Sequence, residues 1–95
     1  MKLNYLFHTR TYKYFDIQVK LPAAEEIKFI AIESRGYIFG YKGEKRPTVS
    51  TNGDWWSKGS LDDPSPFLLG HVDLEGIEDW RDTCEAVADL ERVYE

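Results

Sequence analysis

Short runs of alternating apolar and polar residues, separated by turn residues, are the feature that most limits how this chain of 95 residues can fold. The clearest example is residues 27–33, IKFIAIE, followed by the turn residues SRG and by residues 37–42, YIFGYK. β-Branched and aromatic residues favour strands, and Gly36 can adopt the positive φ that a tight turn needs. We therefore predict an antiparallel hairpin here, with residues 27–33 as a central strand.

A second hairpin is predicted from residues 48–57, TVSTNGDWWS. Asn-Gly is the strongest short hairpin signal because both positions of a type I′ turn need a positive φ. This turn would place Val49 opposite Trp56 and Ser50 opposite Trp55. Neighbouring strand residues point to opposite faces, so the apolar pair predicts that Trp56 lies in the core and Trp55 on the surface.

Three more strands are predicted elsewhere in the chain. Residues 2–9 and 12–21 both alternate, with a turn between them near Thr9–Thr11. Residues 67–74, FLLGHVDL, are predicted to form a short buried strand.

Residues 75–95 are predicted to form an amphipathic helix, because apolar residues recur there at helical spacings. These residues are Ile77, Trp80, Cys84, Val87 and Tyr94. The predicted fold for residues 1–95 is a single α+β domain. It consists of an antiparallel sheet of about five to six strands built from hairpins, with this C-terminal helix packed on one face. The other sheet face would be solvated or buried in a partner, and its tyrosines favour a homodimer.

Charge is unevenly distributed along the chain, whose formal net charge is −5. Residues 1–48 contain nine Lys or Arg and five Asp or Glu, whereas residues 49–95 contain three and twelve. Such asymmetry indicates charged partners. The alternative is that the acidic half forms a solvated surface that attracts only the basic half of the same chain.

No arrangement of residues indicates catalysis or the binding of a metal or cofactor. Cys84 lies on the apolar stripe of the predicted helix, where a thiol packs as a small hydrophobic group. Zinc-ligand sets, calcium loops and phosphate-binding glycine motifs are missing from the sequence. We therefore expect a protein that is not an enzyme, with no catalytic residues, no metal and no cofactor.

The expected location is the cytoplasm, with no membrane partner. A single cysteine excludes an internal disulfide. No stretch has the length and apolarity of a membrane helix, and residues 1–16 lack the apolar run of a signal peptide.

The dense carboxylates of the acidic half predict a partner with a basic surface. Electrostatic steering makes such binding fast, and an exposed Trp would anchor it. We predict a small acidic interaction module that binds and inhibits a basic protein, either nucleic-acid-handling or toxin-like. The predicted contact residues are Trp55, Asp62, Asp63, Glu78, Asp82, Glu85 and Asp89.

The chain is short, acidic, rich in aromatic residues and free of motifs, and in composition it resembles phage accessory proteins and toxin-immunity proteins. This resemblance implies a role in binding another protein. It has no motif from which individual residues could be transferred.

An alternative function uses the basic, aromatic strands. Aromatic residues interleaved with Lys and Arg suit stacking on bases, so a nucleotide or single-stranded nucleic acid is the second candidate ligand. Its predicted contacts are Tyr37, Tyr41, Lys42, Lys45 and Arg46. The acidic half would repel a long phosphate backbone, which makes nucleic acid the less favoured partner.

Overall fold

The computed structural model describes residues 8–50, 56–58 and 62–94, and over these ranges the chain forms nine β-strands in three antiparallel sheets. The strands are β1 (Thr9–Tyr14), β2 (Ile17–Pro22), β3 (Phe29–Ile32), β4 (Tyr37–Tyr41), β5 (Thr48–Val49), β6 (Trp56–Ser57), β7 (Phe67–His71), β8 (Glu85–Ala86) and β9 (Glu91–Val93). The strand orders are β2-β1-β9, β7-β4-β3-β8 and β5-β6. Three 3₁₀ turns occur at Ala23–Glu25, Trp80–Asp82 and Val87–Asp89.

The hairpin predicted from residues 27–42 is confirmed. β3 and β4 pair with Phe29 opposite Tyr41 and Ile32 opposite Ile38, and β3 is an inner strand of its sheet. Gly36 has a φ of 92°, and a Cβ atom there would lie 2.2 Å from the Val72 carbonyl oxygen. Both the backbone conformation and the space therefore require glycine at this turn.

The strands of the Asn-Gly hairpin pair in the predicted register. Val49 lies opposite Trp56, whose side chain is 9% exposed. The Trp56 Nε1 group donates a hydrogen bond to the Ile32 carbonyl at 2.9 Å, so the ring fixes this hairpin to β3. The Asn52-Gly53 turn and Trp55 lie outside the described residues.

The N-terminal hairpin turns later than predicted. Its turn is at Phe15–Asp16 and not near Thr9–Thr11, with Tyr14 opposite Ile17 and Tyr12 opposite Val19. Residues 12–21 are therefore not one strand but the end of β1, a turn and most of β2. Most of the predicted strand 2–9 lies outside the described residues.

β7 forms the first five residues of the strand predicted at residues 67–74. It is an edge strand of the four-stranded sheet, so its side chains are half-buried or exposed and not fully buried. Leu68 is 54% exposed.

The predicted C-terminal amphipathic helix is wrong, and so is the α+β fold with one sheet that depended on it. The described part of the chain has 44% of its residues in strands and contains no helix of seven or more residues. Four residues of the predicted stripe do pack inward, but against two different core clusters: Ile77, Trp80, Cys84 and Val87. The fifth, Tyr94, is 78% exposed. Helical spacing therefore identified residues of the core without identifying the backbone that carries them.

Local chemistry explains why no helix forms between residues 75 and 94. Gly76 has a φ of 89°, which ends any helix there. Asp79 and Thr83 bond to nearby backbone groups, since Asp79 Oδ1 accepts from Arg81 N and Thr83 Oγ1 donates to Trp80 O. Extended backbone is also required at the sheet edges, where β8 pairs with β3 and β9 pairs with β1.

The core lies on both faces of the four-stranded sheet. Successive residues of β3 alternate between the two sides, so Ile30 and Ile32 join one cluster and Ala31 joins the other. The first cluster also contains β1 and β2 residues, and the second contains Trp56 and Cys84. The face expected to be solvated or in a dimer is therefore covered in part by the β5–β6 hairpin, which gives three layers and not two.

Thr83 connects these layers. Its hydroxyl oxygen accepts a hydrogen bond from Ile32 N at 2.9 Å, and its carbonyl oxygen accepts one from the Tyr14 hydroxyl at 2.5 Å. Thr83 is 1% exposed and Tyr14 is fully buried. Tyr14 belongs to the three-stranded sheet and Ile32 to the four-stranded sheet, so we call Tyr14, Ile32 and Thr83 the Thr83 junction.

Thr83→Val should destabilise the protein more than Thr83→Ser does. Valine keeps the volume but leaves the buried Ile32 N–H without its acceptor, at a cost of about 1–3 kcal/mol. Serine keeps the hydroxyl and loses one buried methyl group, at a cost of roughly 1 kcal/mol. Urea unfolding of both variants measures the difference, and an equal or smaller loss for valine would contradict the role given to the hydroxyl.

Alkaline pH should destabilise the fold through its buried tyrosines. Burial raises the pKa of Tyr14 and of Tyr41 above the usual value. Above a pH of about 10 the unfolded chain loses phenolic protons that the folded chain keeps, so the free energy of unfolding falls as pH rises. The slope is up to about 1.4 kcal/mol per pH unit for each tyrosine.

Urea unfolding between about pH 9.5 and pH 11.5 measures this slope. Tyr14→Phe and Tyr41→Phe should each make the decline shallower, and the double variant should make it shallower still. A slope that neither substitution changes would mean that other groups cause the alkaline loss.

Candidate functional site: an acidic groove

A cavity of about 600 Å³ lies between the tip of the β1–β2 hairpin and the irregular segment that follows β7. Residues 13–17 form one side and residues 72–79, apart from Leu74, form the other, while Ile32, Asp82 and Thr83 complete the lining. We call this cavity the acidic groove. Its second side is irregular backbone, and part of it lies where the helix over residues 75–95 was expected.

Carboxylates dominate the charge of the acidic groove. Six of them line it: Asp16, Asp73, Glu75, Glu78, Asp79 and Asp82. Among the residues that the structure describes, Lys13 is the only lysine or arginine in the same lining. A cleft lined by one sign of charge focuses the electrostatic field and attracts the opposite charge.

Few of these carboxylates are neutralised within the described parts of the chain. Asp79 forms an ion pair with Arg81, with 3.8 Å between Oδ1 and Nε, and Asp73 accepts a hydrogen bond from the Glu75 backbone. No lysine or arginine of residues 8–50, 56–58 or 62–94 lies within ion-pair distance of the other four. The mutual repulsion of these carboxylates would be relieved by a cationic partner.

The floor of the acidic groove is apolar and firmly held. All three residues of the Thr83 junction contribute to it, together with the half-buried side chains of Ile17, Val72 and Ile77. The groove therefore combines an acidic rim with an apolar floor.

Phe15 lies at the tip of the hairpin, in the lining of the acidic groove. Its φ is 52°, in the left-handed region that a bulky side chain rarely adopts. The ring is 49% exposed and contacts the Tyr14 ring edge-on, with centroids 4.8 Å apart. An exposed aromatic ring in a costly backbone conformation is a candidate contact residue.

The structure brings together only some of the predicted acidic residues. Glu78 and Asp82 line the groove, whereas Glu85 and Asp89 do not, because no helix places the four on one face. Asp62 is exposed and Asp63 half-buried, and neither lines the groove. Trp55 lies outside the described residues.

The alternative set of basic and aromatic residues is spread out and largely engaged in internal contacts. Tyr41 is 5% exposed, and Lys42 forms an ion pair with Glu25. Arg46 Nη1 donates to the Cys84 carbonyl at 2.9 Å, and its guanidinium lies 5.4 Å from the centre of the Phe29 ring.

Two further members of this set, Tyr37 and Lys45, are exposed. Tyr37 lies at the opposite end of β4 from Tyr41 and stacks edge-on against His71. The structure therefore places no continuous stacking surface along these residues.

Sequence reasoning missed the hairpin side of the groove, including Phe15 and Asp16. A signal was present in the spacing. Tyr12 and Tyr14 occupy even positions, whereas Ile17, Val19 and Leu21 occupy odd ones. A two-residue turn after Tyr14 returns all five to one face, so this change of phase marks the turn.

Other kinds of site find little support in the described residues. There, no three His, Cys, Asp or Glu side chains are grouped as metal ligands would be, and no helix is long and apolar enough to cross a bilayer. Burial raises the pKa of the Cys84 thiol, which disfavours the reactive thiolate. The chain matches no known family model, no curated protein and no solved structure.

Phe15→Asn should leave the fold at least as stable as the wild type. Asparagine tolerates the left-handed conformation, which costs other residues about 1–2 kcal/mol. The lost contact with the Tyr14 ring offsets roughly 0.5–1.5 kcal/mol of that gain. Urea unfolding measures the balance, and a loss of more than about 1 kcal/mol would assign Phe15 a structural role instead.

Proposed function

We propose that this chain is a small, non-enzymatic interaction protein that uses the acidic groove to bind, and thereby inhibit, a protein with a basic surface. The partner is of the nucleic-acid-handling or toxin-like kind, because such proteins present clustered lysine and arginine to bind phosphate. Carboxylates that occupy those cations would compete with the phosphate ligand. A cytoplasmic location is part of this proposal.

The proposal is supported chiefly by the charge of the acidic groove, whose described lining contains six carboxylates and one lysine. The five that lack an ion pair within the described residues favour a partner supplying several cations at once. The wide spacing of the side chains, with no metal-like grouping among the described residues, favours an extended basic surface over a single ion.

The nucleotide-binding alternative receives less support. It needs accessible rings and cations, but Tyr41 is buried and Lys42 and Arg46 are held by Glu25 and by the Cys84 carbonyl. A homodimer remains a prediction, and light scattering of the purified protein tests it.

Charge reversal in the acidic groove should strongly weaken partner binding. The variant Glu75→Lys, Glu78→Lys, Asp82→Lys changes three exposed side chains that form no ion pair or side-chain hydrogen bond within the described residues. Binding is measured by capture from nuclease-treated lysate, followed by titration of the protein so identified. We expect affinity to fall by about tenfold or more, and phosphate ligands of the partner to compete with the wild-type chain.

A matched control distinguishes the effect of charge reversal in the groove from the effect of net charge. The variant Glu26→Lys, Glu44→Lys, Asp89→Lys also reverses three exposed carboxylates, none of which lines the groove. Both variants therefore have the same formal charge. The control should retain most of the wild-type affinity. Equal losses in the two variants, or a co-purifying nucleotide with no protein partner, would overturn the proposal.

A further inference from the structure

The apolar floor of the acidic groove has a consequence for the chemistry of the partner. Ile17, Val72 and Ile77 line the cavity and are only half-buried, so part of their apolar surface faces solvent in the free protein. A partner with basic side chains alone would neutralise the rim and leave this floor hydrated. Burying apolar area would add affinity that charge pairing in water does not supply.

Phe15 extends this apolar surface to the lip of the groove. About half of Phe15 is exposed, and its ring packs edge-on against the fully buried Tyr14 ring, with centroids 4.8 Å apart. Aromatic side chains that are already ordered lose little entropy on binding, and they often anchor interfaces. Phe15 therefore suits contact with an apolar side chain that enters the groove beside it.

We propose, as an extension of the proposed function, that the acidic groove accepts a peptide segment of the partner in which an apolar residue stands between basic residues. The apolar side chain contacts Phe15 and the floor, and the flanking cations pair with the carboxylates of the rim. The choice of occupant rests on charge complementarity, because a purely apolar segment would desolvate carboxylates without pairing them. A cavity of about 600 Å³ accommodates a few side chains, as ligand pockets generally do.

Two short peptides of equal charge test this proposal. The first is Lys-Lys-Leu-Lys-Lys, blocked at both ends, and the second replaces the central leucine with serine. Each is titrated into the ¹⁵N-labelled full chain, and amide shifts report both the affinity and the residues contacted. We expect the leucine peptide to bind about fivefold more tightly, as partial burial of one leucine implies, with shifts at Phe15, Ile17 and Ile77.

Substitutions at Phe15 test whether this residue contributes to the preference for the leucine peptide over the serine peptide. Phe15→Asn should reduce the preference for the leucine peptide without reducing the charge of the groove, whereas Phe15→Tyr should retain the preference because the ring is kept. The unfolding curves of both variants are recorded beside the titrations, so that a loss of folding is not mistaken for a loss of contact.

The outcomes separate this inference from the proposed function. One outcome is that both peptides bind the wild type equally and neither binds the Glu75, Glu78, Asp82 charge-reversal variant. The acidic binding site is then supported, and the proposed apolar contact is wrong. If neither peptide binds, or if the charge-reversal variant binds them as well as the wild type does, both proposals fail. The choice of occupant would be overturned if spermine bound as tightly as the leucine peptide. It would also be overturned if the amide shifts of groove residues depended on protein concentration before any peptide is added.

Discussion

The hydroxyl and carbonyl groups of Thr83 form the interaction on which the rest of the structure depends. Through them, one residue outside regular secondary structure satisfies the buried Ile32 N–H of one sheet and the buried Tyr14 hydroxyl of another. Buried polar groups without partners are costly, so these bonds fix where the two sheets meet. Trp56 bonds to the Ile32 carbonyl, which attaches the third layer at the same point. A few such bonds therefore join the three small sheets of the described residues into one structure.

The acidic groove is a direct product of this arrangement. The Thr83 junction supplies part of the floor, while the hairpin turn after Tyr14 and the irregular segment from Val72 to Asp79 supply the sides. The carboxylates lie mostly at exposed positions, where water screens their repulsion and its cost to stability is small. The protein can therefore keep a strongly acidic rim beside a packed core. A cationic partner would relieve the repulsion between carboxylates more fully than water does.

The hairpins were predictable because their signals are local. The β-branched run before Gly36 and the Asn-Gly dipeptide each specify a turn and a register within about ten residues of sequence. The C-terminal region was not predictable in the same way. Spacings of three and four identified Ile77, Trp80 and Cys84 as inward-facing, but pairing with β1 and β3 determined the backbone, and such long-range pairing leaves no local signal.

The candidate site was likewise only partly predictable from the sequence. The acidic character of residues 62–89 was evident from composition, and Glu78 and Asp82 do line the groove. A helical face would also have included Glu85 and Asp89, which the observed backbone directs elsewhere. Phe15 and Asp16 were missed because the turn contains neither glycine nor proline, and Asp16 alone is a weaker signal than the change of alternation after Tyr14.

The measurement to make is a nuclear Overhauser spectrum of the labelled protein. It distinguishes a segment 77–94 that joins the sheets by hydrogen bonds from one that forms a helix. We expect contacts from the Tyr14 ring protons to Thr83 and from the Ile32 amide to Thr83, together with cross-strand contacts between β1 and β9. An unbroken series of sequential amide–amide contacts through residues 77–94, with helical Cα shifts and no contact between Tyr14 and Thr83, would contradict it.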